Sequence, residues 1–148
     1  MYSIADTAKY ILETAGSMTA MKLQKLCYYA QAWSLAWDNE PLFSEDFAAW
    51  KTGPVCEELR QMTYGKYVLS AADLPEDSAK LSADQKDTIH AVLKEYEGHT
   101  ADWLNRLAQA EEPWKKANQN SHDKIILKES MLNYYSRLLS RLRTCHGP

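Results

Sequence analysis

The feature that most constrains the fold is the run AMKLQKLCYYAQAWSLAW, residues 20–37, in which apolar residues recur at helical spacing. Such a repeat at three and four residues predicts an α-helix, with Thr19 as its N-cap. The apolar positions are Leu23, Leu26, Cys27, Ala30, Trp33 and Trp37. A second face carries Tyr29, Ala32 and Ala36. We therefore expect a central helix that is buried on more than one side.

Helix signals recur on both sides of this run. Ser3, with Asp6 three residues later, has the pattern of a capping box, and Gly16 is suited to end the helix that follows. After the turn DNEPLF, Pro54 is expected to begin a third helix that runs to about Met62, because proline fits the first helical position. The first half of the chain thus predicts three helices.

The second half of the chain shows the same periodicity. Ser82 and Thr100 are placed as N-caps of a fourth and a fifth helix. The segment EEPWKKANQNSHDK predicts a polar connection with one turn after Pro113, and the last helix is expected over residues 128–143. The residues expected to face the core in the last two helices are Trp103, Leu104, Leu107, Ala108, Met131, Leu132, Tyr135, Leu138, Leu139 and Leu142.

Strand signals are weak by comparison. The segment FSEDFAAW is short and half apolar, so it predicts either a brief strand or a helical turn. A length of 148 residues suits one domain, and no flexible linker or internal repeat divides it. The predicted fold is therefore mainly α: a compact single domain over residues 1–148 with about six helices, with or without a short β-hairpin near residues 43–52.

The sequence carries none of the patterns that would predict a metal or cofactor site. The four histidines share no spacing of three or four residues, and there is no CxxC or HExxH motif. With five glycines in the chain, KTGP does not match a phosphate-binding loop. The sequence predicts neither a cofactor nor a bound metal. The histidines are His90, His99, His122 and His146.

The cysteines do not predict a catalytic thiol. Cys56 precedes a predicted helix whose dipole lowers a thiol pKa, but Glu57 and Glu58 follow directly and oppose that effect. Cys27 lies on the apolar stripe of the central helix, and Cys145 lies in the C-terminal tail. Without a nucleophile beside a base, the chain is not expected to be an enzyme. Free thiols, no signal peptide and no apolar run of membrane-spanning length predict a cytoplasmic protein with no membrane partner.

The charge is unevenly distributed along the chain. The net charge is −3, which argues against a general nucleic-acid binder. Residues 1–112 hold 10 Lys and Arg against 18 Asp and Glu, whereas residues 113–148 hold 7 against 2. The basic C-terminal helix, with Lys128, Arg137, Arg141 and Arg143, is either a solvated face or a contact for phosphates or an acidic protein.

The stretch FAAWKTGPVCEEL, residues 47–59, joins these elements at a corner. Gly53 before a proline is excluded from the helical region and can adopt backbone angles that other residues avoid. Trp50 beside this corner is either folded into the core or presented in a groove. Lys51 lies near the predicted helix start, but Glu57 and Glu58 already place negative charge there, so no external anion is required.

Several blocks in order, MTAMKLQKLCYYAQAWSLAW, PLFSEDFAAWKTGPVCEEL, EEPWKKA and IILKESMLNYY, resemble the Panacea domain family of SocA-like and GepA-type phage-associated proteins. The resemblance runs from residue 4 to about residue 136, and KLQKLCYYAQAW and AWKTGPV are its specific blocks. The family positions are Leu23, Lys25, Leu26, Tyr28, Ala30, Trp33, Phe47, Trp50, Gly53, Pro54, Val55, Pro113 and Trp114.

The resemblance implies a small helical antitoxin that neutralises a cognate protein toxin, encoded next to it, by binding it directly. Partners vary widely across the family, and one alternative that it implies is an adaptor that delivers the toxin to a cytoplasmic protease. A third alternative, a DNA-binding regulator, is disfavoured because many relatives carry a separate DNA-binding domain that this chain lacks.

Two departures from the family pattern bear on the surface. Gln109 stands where relatives commonly carry histidine, so acid–base or metal chemistry by that histidine does not apply here, and Arg60 replaces an aromatic residue after GPV. For partner binding, the sequence favours the edge formed by Trp50, Lys51, Gly53, Pro54 and Trp114, against the alternative that both tryptophans pack in the core.

Overall fold

The computed structural model describes residues 2–75, 78–120 and 122–146, without the side chains of residue 78 and residues 143–146. The predictions for Arg143, Cys145 and His146 concern side chains outside this described part. The helices are α1 (Ile4–Ala15), α2 (Ala20–Asp38), α3 (Glu57–Met62), α4 (Ala83–Tyr96), α5 (Ala101–Ala110), α6 (Glu112–Asn118) and α7 (Lys128–His146). The strands are β1 (Met18–Thr19), β2 (Phe47–Trp50), β3 (Gly53–Val55), β4 (Val68–Leu69) and β5 (Ile125–Ile126). Two 3₁₀ turns lie at Ala71–Asp73 and Ser78–Lys80. The prediction of a mainly α fold is confirmed.

Helix α2 is the centre of the fold, as its sequence predicts. The hydroxyl of Thr19 accepts a hydrogen bond from the Lys22 backbone N–H at 3.1 Å and so caps the helix. Every residue from 23 to 35 is buried, because α1, α4, α5 and α7 all pack against α2. A helix covered on every side needs no amphipathic stripe, which explains the mixed composition of KLQKLCYYAQAW.

Buried glutamines on α2 bind the backbone of the segment that follows the helix. The side-chain amide of Gln24 accepts from the Cys56 N–H at 2.9 Å and donates to the Cys56 carbonyl at 3.0 Å. Gln31 accepts from the Leu42 N–H at 2.7 Å and donates to the Phe43 carbonyl at 2.9 Å. Each amide supplies one hydrogen-bond donor and one acceptor to buried loop backbone that would otherwise lack partners. These contacts fix the chain that leads into and out of the β2–β3 hairpin.

A buried carboxyl group links α2, α7 and the junction between α5 and α6. Glu111 Oε1 accepts hydrogen bonds from the hydroxyls of Tyr29 and Tyr135, both at 2.7 Å. Burial raises the pKa of the Glu111 carboxyl, although the two tyrosine hydrogen bonds act in the opposite direction. The network is a polar tie through the centre of an otherwise apolar core.

The segment FSEDFAAW ends in a strand, which is one of the two alternatives that its sequence predicts. Strand β2 pairs antiparallel with β3 and β5, giving the order β3–β2–β5, and β1 pairs antiparallel with β4. The hairpin spans residues 47–55, somewhat later than the expected 43–52. Its register places Trp50 opposite Gly53 and Ala49 opposite Pro54.

Two helix boundaries differ from the predictions. Pro54 does not begin α3: it lies in β3, and α3 begins at Glu57 after Cys56 in extended conformation. Proline fits an edge strand as well as a helix start, because neither position needs its missing N–H. Within the predicted polar connection, residues 112–118 form helix α6, which is longer than the one turn predicted after Pro113.

Three large apolar residues predicted to face the core are exposed. These are Trp37, Trp103 and Leu142, with exposed fractions of 41, 43 and 44%. Each lies near a helix end or at the margin of an apolar stripe. Neighbouring elements do not fully cover these positions, and single exposed apolar side chains are common on protein surfaces. The remaining stripe of α7 packs as expected, with Met131 and Tyr135 fully buried.

Candidate partner-binding site

The β2–β3 hairpin brings four of the five predicted site residues into one short unit. A two-residue turn, Lys51 and Thr52, joins the paired residues Trp50 and Gly53. Gly53 has a φ of +99°, the left-handed region that favours glycine. The prediction of unusual backbone angles at this glycine is therefore confirmed.

Close packing is a second reason for glycine at position 53. A Cβ atom placed there would lie 2.5 Å from Asn105 Oδ1 and 3.4 Å from Lys25 Cε. Both Gly53 and Pro54 are buried. These two residues thus set the shape of the hairpin and offer little surface to a partner.

The hairpin is anchored to α2 by a buried lysine. Lys25, only 1% exposed, donates a hydrogen bond from Nζ to the Pro54 carbonyl at 2.8 Å. Burial lowers the pKa of this ammonium from 10.5 to about 7. Since β3 is an edge strand, the lysine supplies a donor to a carbonyl that no neighbouring strand pairs.

On the outer side, the turn is held by two side chains that come from later in the sequence. The indole Nε1 of Trp114 donates to the Trp50 carbonyl at 3.1 Å, and Gln109 Nε2 donates to the Lys51 carbonyl at 2.5 Å. The structure therefore brings Trp114 together with the hairpin, as the sequence hypothesis required. The role of Gln109 follows from a tertiary contact that sequence spacing alone does not reveal.

The exposed residues of this unit are Trp50 and Lys51. The Trp50 side chain is 40% exposed, whereas Trp114 is half-buried, so the alternative that both tryptophans pack in the core does not describe Trp50. The guanidinium carbon of Arg60 lies 5.4 Å from the centre of the Trp50 ring, a cation–π distance. Arg60 thus belongs to the same surface.

The cysteines have the properties of core thiols. Burial raises the pKa of Cys56 to about 12, and the nearby Glu58 carboxylate adds to this effect. Burial likewise raises the pKa of Cys27 well above its ordinary value. Both therefore remain thiols near neutral pH rather than reactive thiolates. In residues 2–75, 78–120 and 122–146, no three or more His, Cys, Asp or Glu side chains cluster as a metal site would require.

Two cavities have neither Trp50 nor Trp114 in their lining. One, of about 480 Å³, is lined by carboxylates, but Glu45 accepts from the Ile4 N–H, and Asp46 and Glu57 form ion pairs with Lys128 and Arg60. The other, also about 480 Å³, is an apolar groove of α2, α4 and α7. Its lining residues are Trp33, Trp37, Ala91, Val92, Glu95, Tyr96, Leu138, Leu139 and Leu142.

The helices of the described residues include none that is long and apolar enough to cross a membrane.

Comparison with known proteins identifies the family of the chain. No curated protein and no solved structure matches it. A family model described as antitoxin SocA-like, Panacea domain, matches residues 23–115, which is more than half of the chain. The matched range begins inside α2, contains the β2–β3 hairpin and ends one residue after Trp114, so it includes the side chains of Lys25, Gln109 and Trp114 that bind the hairpin backbone. The chain belongs to the family of SocA-like antitoxins with a Panacea domain.

Proposed function

We propose that residues 1–148 act as one antitoxin domain that neutralises a cognate protein toxin in the cytoplasm by binding it directly. The observation that carries this proposal is the match of residues 23–115 to the SocA-like antitoxin family. An antitoxin of this kind needs a stable scaffold with an exposed contact surface, and it needs no catalytic group. The buried thiols with raised pKa values are consistent with such a scaffold.

The surface that suits this function best is the outer side of the hairpin. Trp50 and Lys51 offer exposed side chains, and Trp114 supports them through its hydrogen bond to the Trp50 carbonyl. Exposed tryptophans are frequent centres of binding energy, because they bury a large apolar area with few rotatable bonds. Gly53 and Pro54 contribute by holding the turn in shape, since both are buried.

Co-expression with the product of the adjacent gene tests the function. We expect the wild-type chain to restore growth to cells that express this toxin and to co-purify with it. Trp50→Ala and Lys51→Ala are expected to weaken rescue without loss of helical circular dichroism, because both side chains are exposed. Lys94→Ala, at an exposed lysine on α4, is the matched control. Absence of both rescue and co-purification would show that the proposal is wrong.

The half-life of the toxin distinguishes neutralisation by binding from delivery to a protease. Direct inhibition predicts that the toxin persists in the complex, so its half-life after synthesis is blocked should not shorten. A half-life that falls when the wild-type chain is present, and recovers with Trp50→Ala, would instead indicate an adaptor that uses the same surface.

A further inference from the structure

A small apolar notch lies beside Trp50, between the hairpin, α2 and α3. Its volume is about 170 Å³, and its walls include Met21, Trp50, Val55, Arg60 and Thr63. Pockets for small-molecule ligands commonly measure about 300–1,000 Å³. The notch is smaller than that range and fits a single inserted side chain. Met21 and Trp50, 43 and 40% exposed, leave apolar surface open at its entrance.

Two exposed lysines follow the two tryptophans of the site in sequence: Lys51 follows Trp50, which lines the notch, and Lys115 follows Trp114, whose indole binds the Trp50 carbonyl. Within the described part of the chain, the exposed Lys51 and Lys115 form no ion pair. Glu57 pairs with Arg60 at 2.8 Å and Glu112 with Arg137 at 3.2 Å, while the exposed Glu58 accepts a hydrogen bond from the Cys56 thiol at 3.6 Å. An unpaired ammonium near an apolar notch attracts a partner that carries carboxylates next to an apolar group.

Arg60 contributes to both properties of this surface. Its bidentate pair with Glu57, at 2.8 and 3.0 Å, fixes the guanidinium near the Trp50 ring. Arginine and tryptophan are both enriched at the centres of protein interfaces, where each combines apolar contact area with directed polar contacts. The hairpin-tip surface, defined as Met21, Trp50, Lys51, Arg60, Trp114 and Lys115, therefore combines an apolar centre with two unpaired cations, Lys51 and Lys115, since the charge of Arg60 is paired with Glu57.

We propose that the hairpin-tip surface binds an acidic, apolar protein segment: one apolar side chain enters the notch, and flanking carboxylates meet Lys51 and Lys115. This inference rests on the proposed function in that the toxin would supply the segment. A nucleic acid is the less favoured occupant, because the chain has a net charge of −3 and the free cations here are few.

Selection from a random-peptide phage library tests the chemistry without knowledge of the toxin. Peptides that bind the full chain are expected to combine Asp or Glu with a large apolar residue. They are expected to be lost on a Trp50→Ala/Lys51→Glu double variant whose circular dichroism is unchanged. Enriched peptides that are basic or uncharged, or that bind the double variant equally well, would overturn the proposal.

Charge reversal then measures the contribution of the rim. For the best acidic peptide, Lys51→Glu/Lys115→Glu is expected to weaken affinity roughly tenfold and to reduce its dependence on salt. Lys94→Glu, a single charge reversal outside the surface, is expected to change affinity by less than about twofold. If Lys51→Glu/Lys115→Glu and Lys94→Glu weaken affinity equally, an acidic protein segment is refuted as the occupant. Displacement of the peptide by oligo(dT) that depends on Lys51 and Lys115 would refute it as well.

Growth rescue separates this inference from the proposed function. If the double charge reversal abolishes rescue by the adjacent toxin and Lys94→Glu does not, the toxin supplies the segment. If rescue survives the reversal, the toxin binds elsewhere and this inference is wrong, while the antitoxin function stands. If the wild-type chain gives no rescue, the proposed function fails, and the peptide selection still decides what the surface binds.

Discussion

Replacing the buried Lys25 by methionine is expected to stabilise the protein near neutral pH and to lose this advantage in alkaline solution. The lysine is 1% exposed, and burial lowers its pKa from 10.5 to about 7. Methionine retains most of the apolar stem and removes the ionisable group, so the substitution isolates the electrostatic cost of this position. It also removes the donor to the Pro54 carbonyl.

The magnitude follows from the pKa difference between the unfolded and the folded state. Each unit corresponds to about 1.4 kcal/mol, so placing the lysine in the core costs about 4 kcal/mol near pH 7. Loss of the donor to the buried Pro54 carbonyl costs about 1–3 kcal/mol. The variant should therefore gain about 1–3 kcal/mol in the free energy of unfolding near neutral pH.

The sign of the pH dependence is the sharper part of this prediction. Because the folded pKa is below the unfolded value of 10.5, the unfolded state binds more protons between about pH 7 and pH 10.5. The stability of wild type relative to Lys25→Met should rise with pH across this window, because all other titrating groups are common to both proteins. By about pH 10 the cost of burying the lysine falls below about 1 kcal/mol, and the variant becomes the less stable protein.

Urea unfolding followed by tryptophan fluorescence, repeated from about pH 7 to pH 10, measures both quantities. Lys94→Met, at an exposed lysine, is the control and should track the wild-type protein at each pH. A stability difference between Lys25→Met and wild type that stays constant across this range would show that Lys25 keeps an ordinary pKa. The reasoning from burial would then be refuted.

Three further substitutions test other contacts. Gly53→Ala should cost more than about 1 kcal/mol, because a Cβ there meets Asn105 Oδ1 at 2.5 Å and the φ is +99°. Gly65→Ala, with a φ of +83° and open space, isolates the backbone effect, and an equal loss in denaturant unfolding of both variants would contradict the contact. The stability of wild type relative to Glu111→Gln should fall as pH rises above 4.5 towards the raised pKa, because the folded Glu111 carboxyl keeps its proton to a higher pH than the unfolded one. Thermal unfolding from acid to neutral pH measures this, and parallel curves would contradict it. Tyr135→Phe should cost about 1.5–3 kcal/mol by removing the hydroxyl bound to the carboxyl; a loss below about 0.5 kcal/mol in urea would show that this hydrogen bond contributes little.

The helices could be predicted where caps and periodicity coincide, and less well elsewhere. Thr19 and Ser82 mark helix starts that the structure confirms, because an N-cap is a local interaction. Helix α6 was not predicted in full because its seven residues carry too few apolar positions to show a period. The ring of Pro54 suits both a helix start and an edge strand, so its local sequence does not distinguish the two. The pairing of Pro54 with Ala49 places it in a strand.

The candidate site depends on contacts that local sequence does not encode. The hydrogen bond from Trp114 to the Trp50 carbonyl joins residues 64 positions apart, and the bond from Lys25 to the Pro54 carbonyl crosses 29 positions. A lysine in a helix ordinarily indicates a solvated face, so the burial of Lys25 could not be read from its pattern. The exposure of Trp50 likewise follows from the direction of the hairpin, which the sequence left open.

Gln109 has a structural role at the hairpin turn that involves no catalysis. The family resemblance implies histidine at this position in relatives, whereas in this chain the Gln109 amide donates a hydrogen bond to the Lys51 carbonyl in the hairpin turn. An imidazole N–H can donate in the same way. Glutamine and histidine can therefore both donate a hydrogen bond to the turn, a role that involves no proton transfer. Together with Trp114, which binds the preceding carbonyl, this contact holds the backbone of Trp50 and Lys51 while their side chains stay exposed. A turn held through its backbone carbonyls is expected to keep its shape when the side chains of Trp50 and Lys51 are replaced, so substitutions there should change what the surface presents without changing the scaffold.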